Sequence, residues 1–116
     1  MKSFQVGQVW WIVAREHEPE AQIIILGVEP FQDSTVVHVQ IVGIQMEGLD
    51  GEILTEVGHV PVFENRVRAS IRTYEGETEV KDFEAIEYWR NAGGGVFDKC
   101  LAEIVNYIEK TLQEES

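Results

Sequence analysis

The sequence predicts an α+β domain in which a β-rich part precedes a helical part. From Gln8 to Pro61, β-branched and aromatic residues come in short runs separated by turn residues, which is typical of strands. From Phe63 onward, apolar residues recur every three or four positions, which is typical of helices. The chain has 116 residues, of which 44% are hydrophobic, enough to bury a core in one domain. We therefore expect a single domain over residues 1–116, with a β-rich part (1–62) and a helical part (63–116).

Four strands are expected in the β-rich part: Val9–Val13, Ile23–Leu26, Val36–Val42 and Ile53–Val60. The Asp50-Gly51 pair predicts a hairpin between the last two strands. Because short connections favour antiparallel neighbours, the simplest topology is a four-stranded antiparallel meander. The first two strands show no polar alternation, which is typical of strands covered on both faces. An SH3-like barrel, or a sheet with helices on each face, would provide that cover.

Two or three C-terminal helices are expected in the helical part. The first, a marginal one that ends near Gly76, is predicted by the spacing of Phe63, Val67, Ile71 and Tyr74. The second is predicted by Val80, Phe83, Ile86 and Trp89, with Gly93 just beyond its end as the C-cap. The third is predicted by an apolar stripe from Phe97 to Leu112, which we expect to pack on the sheet.

The net charge is the most distinctive property of the chain. Its 21 Asp and Glu residues against 9 Lys and Arg residues give a net charge of −12. Such a surface repels polyanions and attracts positively charged partners, so we expect a basic protein partner and no nucleic acid. The single cysteine, Cys100, excludes an internal disulfide and fits the reducing cytoplasm. The longest apolar stretch, Val9 to Ala14, is far shorter than the roughly 20 residues of a membrane span, so no membrane contact is expected.

The residues predicted to bind a partner are acids concentrated in one segment: Glu75, Glu77, Glu79, Asp82, Glu84 and Glu87. Lys81 is the only cation among them, so six negative charges and one positive charge leave a local net of −5. A charge run is usually a solvated face, but here it coincides with the overall charge, which favours an electrostatic docking surface. The adjacent Trp10 and Trp11 point to opposite faces of one strand, so one can fill the core while the other anchors a partner.

An alternative site is formed by His38, Gln40 and His59. A hairpin that turns about Leu49-Asp50 pairs positions whose numbers sum to 99, so His59 opposes Gln40 and lies diagonally from His38. These side chains could line a small-molecule pocket or an acid-base pair, or simply make ordinary strand hydrogen bonds. No cysteine or carboxylate stands at a ligand spacing beside them, so we expect neither a metal nor a cofactor. No catalytic motif occurs elsewhere, so an enzyme is not expected.

A pattern in the second half of the chain resembles one in small uncharacterised bacterial proteins. It consists of Gly58-His59-Val60-Pro61, Trp89-Arg90 and Gly93-Gly94-Gly95-Val96-Phe97. The resemblance implies an intact bacterial domain and attaches no activity to it. In size, acidity and lack of catalytic residues, the chain is also similar in type to immunity proteins, which present carboxylates to the basic cleft of a nuclease toxin.

These observations favour a non-enzymatic protein-binding domain of immunity or adaptor type that presents an acidic surface to a basic partner. The alternative is a small-molecule binder or small enzyme with a pocket near His38 and His59. A homodimer formed through the sheet face that bears one of the tryptophans is a third possibility.

Overall fold

The computed structural model describes residues 3–114 and has an α+β fold, with one five-stranded antiparallel sheet and three helices within that range. The strands are β1 (Gln8–Ile12), β2 (Gln22–Phe31), β3 (Ser34–Glu47), β4 (Ile53–Phe63) and β5 (Ile71–Glu77). The helices are α1 (Glu64–Ser70), α2 (Glu84–Asn91) and α3 (Leu101–Glu114). None of these helices is long and apolar enough to cross a membrane. The expected domain ends, 1 and 116, lie outside the described residues.

Strands β1 to β4 form the predicted meander, in which each strand pairs with the next one along the chain. The turn between β3 and β4 lies at the predicted hairpin, where Gly51 has a φ of +81° that suits glycine. The predicted register is also present: Val37 pairs with Val62 and Val39 with Val60, so the paired numbers sum to 99. Between Val39 and the hairpin, two irregularities change the register, so that the last pair before the turn, Glu47 with Ile53, sums to 100.

The predicted first helix is wrong in its second half, because the chain leaves α1 after Ser70 and continues as β5. This strand pairs with β1 on the side away from β2, with Tyr74 opposite Trp10. Without β5, the backbone groups along that side of β1 would have no partner in the sheet. Pairing across the sheet therefore overrides a local spacing that fits a helix, and the sheet has five strands instead of four.

The sheet is open, because β4 and β5 form its two edges and do not pair with each other. The SH3-like barrel is therefore wrong, and helices on both faces provide the cover that β1 and β2 require. Since side chains alternate along a strand, Val37 and Val39 share a core with Leu101 of α3, whereas His38 between them faces the other way. His38 contacts Trp89 of α2 on that second face. We call the side of the sheet under α2 the second face.

Helix α2 begins later than predicted, at Glu84, but ends where the sequence indicates. Its last turn closes with a Schellman motif, in which Gly93 N–H donates to Arg90 O at 3.3 Å and Gly94 N–H donates to Trp89 O at 2.9 Å. Gly93 has a φ of +62°, the left-handed conformation that this motif requires. The end of α2 is thus defined by its glycines.

Helix α3 packs its apolar stripe on the main core, as predicted, through Leu101, Ile104 and Val105. Phe97, which we expected to open this stripe, lies before the helix and forms an isolated parallel bridge with Val62. Its backbone N–H donates to Pro61 O at 2.9 Å, so this segment covers one end of the β4 edge. The β5 edge, by contrast, pairs only with β1 among the described residues.

Candidate functional site

The acidic segment, which we define as residues 75–87, runs from the edge strand β5 through a connecting loop to the first turn of α2. All six of its carboxylate side chains belong to exposed residues: Glu75, Glu77, Glu79, Asp82, Glu84 and Glu87. The segment therefore presents its charges to solvent from three consecutive elements, and it begins on an edge strand that pairs only with β1 within residues 3–114.

Several acids of the acidic segment contact side chains within residues 3–114, among them Glu77, whose Oε2 accepts a hydrogen bond from the Tyr74 hydroxyl at 3.4 Å. Trp11 Nε1 donates to Glu75 Oε1 at 3.1 Å, which joins the tryptophan to the start of the segment. Lys81 Nζ lies 3.8 Å from Glu79 Oε2, and both side chains are largely exposed. An exposed pair at this distance contributes little to stability, so it leaves Glu79 available to another cation.

The two adjacent tryptophans have different environments. Trp10 lies in the main core, where it contacts the rings of Phe4 and Tyr74 edge-on and donates its Nε1–H to Gln8 Oε1 at 3.1 Å. Trp11 is half-buried on the opposite face of β1, beside the acidic segment. Of the two tryptophans considered as partner anchors, Trp11 is thus the one placed next to the predicted docking residues.

The structure also brings His38 and His59 together, as the register predicts. His38 Nδ1 lies 2.8 Å from His59 Nε2, and the two rings stack with centroids 5.0 Å apart. Gln40, the third residue of the alternative site, does not join them, because its Nε2 donates to Glu56 Oε2 at 3.4 Å. His38 is fully buried, and His59 is half-buried.

Three residues that the sequence analysis did not assign to this site complete its surroundings. Glu29 Oε2 lies 3.7 Å from His38 Nε2, and Arg90 of α2 forms an ion pair with the same carboxylate. The ring of Trp89 packs edge-on against His38, with centroids 4.8 Å apart. Glu29 and Arg90 are 61 positions apart, so no local spacing could have connected them.

One arrangement of protons forms the hydrogen bond between His38 and His59 and also avoids repulsion between His38 and Glu29. If His59 Nε2–H donates to His38 Nδ1, the proton of His38 lies on Nε2, where it faces the Glu29 carboxylate. The opposite arrangement would direct the Nε2 lone pair at a negative charge. Even in the favourable arrangement, His38 Nε2 has no hydrogen-bond partner among the described residues, because 3.7 Å exceeds hydrogen-bond distance.

Burial sets the protonation state of this cluster. Desolvation first, and the charge of His59 second, lower the pKa of His38 from 6.5 to about 4. Desolvation likewise lowers the pKa of His59. The hydrogen bond from Arg90 lowers the pKa of Glu29. At neutral pH the cluster therefore contains two neutral imidazoles beside a compensated ion pair.

Contacts between residues 58–61, 89–90 and 93–97 join α2 and the segment after it to β3 and β4. Trp89 Nε1 donates to Gly95 O at 2.8 Å, and Phe97 N–H donates to Pro61 O at 2.9 Å. His59 and Trp89 both contact the His38 ring. The contacts show what these residues do in the fold: they fasten α2 and the segment after it to β3 and β4.

A second buried carboxylate lies on the other side of the molecule. Glu18 is 2% exposed and accepts hydrogen bonds from Arg15 Nη2 at 2.7 Å and from Gln45 N at 2.8 Å. Arg15 also pairs with Glu109 of α3. Burial is the largest single effect and by itself raises the pKa of Glu18. The hydrogen bonds from Arg15 and the Gln45 amide, together with the charge of Arg15, outweigh it, so the pKa of Glu18 is lowered. All polar partners are supplied by the chain itself, which indicates a structural cluster that ties α3 to the sheet.

Within residues 3–114, no group of three or more His, Cys, Asp and Glu side chains has the arrangement to hold a metal ion. No family model, curated protein or solved structure matches the chain.

Proposed function

We propose that this chain is a non-enzymatic protein-binding domain that receives a basic partner at the acidic segment. The observation that carries the proposal is the exposure of all six carboxylates along an open sheet edge and the helix that follows it. With Lys81 as its only cation, the segment has a net charge of −5. A basic surface would gain from every one of these charges, whereas an acidic or neutral surface would not.

The open edge of β5 favours a basic partner over a second copy of the chain. Edge strands can pair with a strand of another molecule, and like charges on both strands discourage pairing between identical copies. Glu75 and Glu77 lie on β5, so a second acidic edge is repelled and a basic strand is attracted. Such selection suits an immunity or adaptor domain, in which carboxylates occupy a basic cleft of the partner and charge steering accelerates capture.

The proposal is tested by reversing three charges of the segment, in the variant Glu77→Lys, Glu79→Lys and Glu84→Lys. Each reversal adds two charges, so the net charge rises from −12 to −6. We expect partner affinity to fall about tenfold or more at low salt, since each rim charge contributes a fraction of a kcal/mol to about 1 kcal/mol. Captured proteins are compared by mass spectrometry at low and moderate salt, because screening weakens such contacts.

A matched control separates the local surface from the global charge. The variant Glu16→Lys, Glu20→Lys and Glu103→Lys changes three exposed acids outside the segment and reaches the same net charge of −6. We expect this control to retain the partner that the native chain retains. An equal loss of partner binding in both variants would show that overall charge, and not the acidic segment, causes the loss. Unchanged binding by the segment variant would refute the docking surface.

The alternative function, a small-molecule binder or small enzyme at His38 and His59, has one observation in its favour. The two rings are in hydrogen-bond contact, and His38 Nε2 is buried without a partner. Replacing both histidines by alanine would abolish ligand binding or turnover if that function were correct. Loss of the basic partner on charge reversal, with ligand binding absent in the native chain, would exclude it.

Homodimerisation remains a separate prediction. The Trp11 side of β1 lies beside exposed carboxylates, which repel those of a second copy. Sedimentation at high protein concentration tests it: a monomer would exclude a dimer, and a dimer that persists in the charge-reversed variant would identify an interface outside the acidic segment.

A further inference from the structure

Two cavities lie on either side of the acidic segment where it crosses the second face of the sheet. The larger, of about 380 Å³, has a floor that includes Ile24 and Leu26 of β2 and a wall that includes Val80. The carboxylate-bearing residues Glu79 and Asp82 also line this cavity. Polar residues, among them Gln40 and Thr78, complete its lining. The aliphatic side chains of its floor and its negative charge suit a long aliphatic side chain with a cationic end.

The smaller cavity, of about 280 Å³, shares Leu26 with the larger one, so the two are adjacent. Three of its lining residues are apolar side chains with unusually high exposure: Val6 at 47%, Val28 at 38% and Phe83 at 42%. Isolated apolar residues on a surface are ordinary, but several around one concavity mark an interaction site. This cavity suits an uncharged apolar side chain.

Two acids and one cation line each cavity, but these charged groups are paired differently. Glu29 and Arg90, which line the smaller cavity, neutralise each other in an ion pair, and Glu87 beside them is exposed. At the larger cavity, Lys81 is the only cation against two acids, and its side chain is 79% exposed. The chain's own lysine thus neutralises only part of the negative charge at the cavity.

Resting on the proposed function, we infer that these two cavities form one groove that binds an extended segment of the basic partner. The aliphatic stem of an arginine or lysine lies in the larger cavity, with its charge at Glu79 and Asp82, and a nearby apolar side chain enters the smaller cavity. Charge complementarity selects this occupant, because the two acids of the larger cavity are opposed only by an exposed lysine. At the smaller cavity, Glu29 is already paired with Arg90, and exposed apolar side chains also line it. Lys81 is displaced towards solvent when the partner's cation arrives.

The inference is tested with peptides that carry the same charge but differ in their aliphatic stems. The probe is a short synthetic peptide of arginine and serine residues with one central leucine, and its binding to the full chain is measured at low salt. The comparison peptide replaces each arginine by the homologue whose guanidinium is separated from Cα by a single methylene. We expect the comparison peptide to bind about fivefold more weakly or worse, because it cannot cover the aliphatic side chains of the floor. A peptide with alanine in place of leucine should show a similar loss.

Substitutions in the chain locate the effect. Ala85 is exposed and lines the larger cavity, so Ala85→Phe would fill the space without changing any charge. This variant should lose the preference for the long stem, whereas Ala69→Phe, at an exposed position on α1, should keep it. Lys81→Gln should bind the arginine peptide about twofold more tightly, since the competing exposed cation is removed.

The outcomes separate this inference from the proposal on which it rests. Equal affinity for long and short stems, combined with loss of both peptides in the charge-reversed chain, would overturn the groove and leave the acidic docking surface standing. No binding of any basic peptide by the native chain, combined with an unaffected partner in the charge-reversed chain, would overturn both. A stem preference that disappears in Ala85→Phe alone would establish the groove.

Discussion

Acidification from about pH 7.5 to about pH 5 should lower the free energy of unfolding by about 2 kcal/mol through His38. The imidazole is fully buried, and its pKa is lowered from 6.5 to about 4, first by desolvation and then by His59. Below pH 6.5 the unfolded chain takes up a proton at this residue, whereas the folded chain does not until the pH approaches 4. Stability is therefore complete above about pH 6.5 and declines as the pH falls towards 4.

The groups around His38 allow its contribution to be isolated. The titratable and charged residues that face it are Glu29 on β2, His59 on β4 and Arg90 on α2. His59, whose pKa burial also lowers, acts in the same direction and increases the loss. Because the pKa of Glu29 is lowered from 4.5, its effect on stability appears mainly below that value, outside the window of the experiment.

The assay is urea unfolding followed by tryptophan fluorescence at both pH values. In His38→Gln, the residue that titrates is gone, so the difference in stability between the two pH values should shrink by about 2 kcal/mol. This difference is informative even if the variant is less stable at both. His17→Gln is the control, because the His17 side chain is 56% exposed and should keep the native difference. A native chain equally stable at both pH values, or equal flattening by both variants, would refute the argument.

Two further predictions concern stability and anchoring. Glu18→Gln should destabilise the fold by about 2 kcal/mol or more in urea unfolding, since it removes a fully buried carboxylate and leaves Arg15 with Glu109 as its ionic partner. Arg66→Ala, which breaks an exposed pair, should change stability little. Trp10→Ala should cost about 3 kcal/mol or more because it empties part of the core, whereas Trp11→Ala should change stability little and weaken binding of the basic partner. Full partner affinity in Trp11→Ala would show that Trp11 is not part of the docking surface.

Those parts of the fold that depend on local chemistry could be predicted from the sequence. The Asp50-Gly51 pair predicted the hairpin between β3 and β4, and the pairing of positions that sum to 99 placed His38 near His59. The register irregularities between that pairing and the turn could not be predicted. The stripe of α3 and the glycine end of α2 follow from helix geometry in the same way. Local patterns alone therefore predict the α+β class, and the structure confirms it.

Features that depend on distant pairing could not be predicted in this way. Residues 71–77 have a spacing that fits a helix, and only the free side of β1 converts them into a strand. The position of Arg90 beside Glu29 depends on which face of the sheet α2 covers, which no short pattern encodes. Trp89 and Arg90 were noted in the sequence as an adjacent pair, but their contacts with the histidine cluster are visible only in the assembled sheet.

The two candidate sites are joined mechanically by α2. This helix has only eight residues, too few to be stable on its own, so its position depends on the groups that fasten it to the second face. Two of these groups, Trp89 and Arg90, contact His38 and Glu29, while the first turn of the same helix carries two acids of the docking segment. A buried histidine pair thus has a role without any ligand, because it supports the helix that shapes the groove. Protonation of His38 should weaken the contacts that hold α2 and thereby displace the acids on its first turn. A substitution at the histidines that weakens partner binding therefore does not by itself show that the partner binds at the histidines.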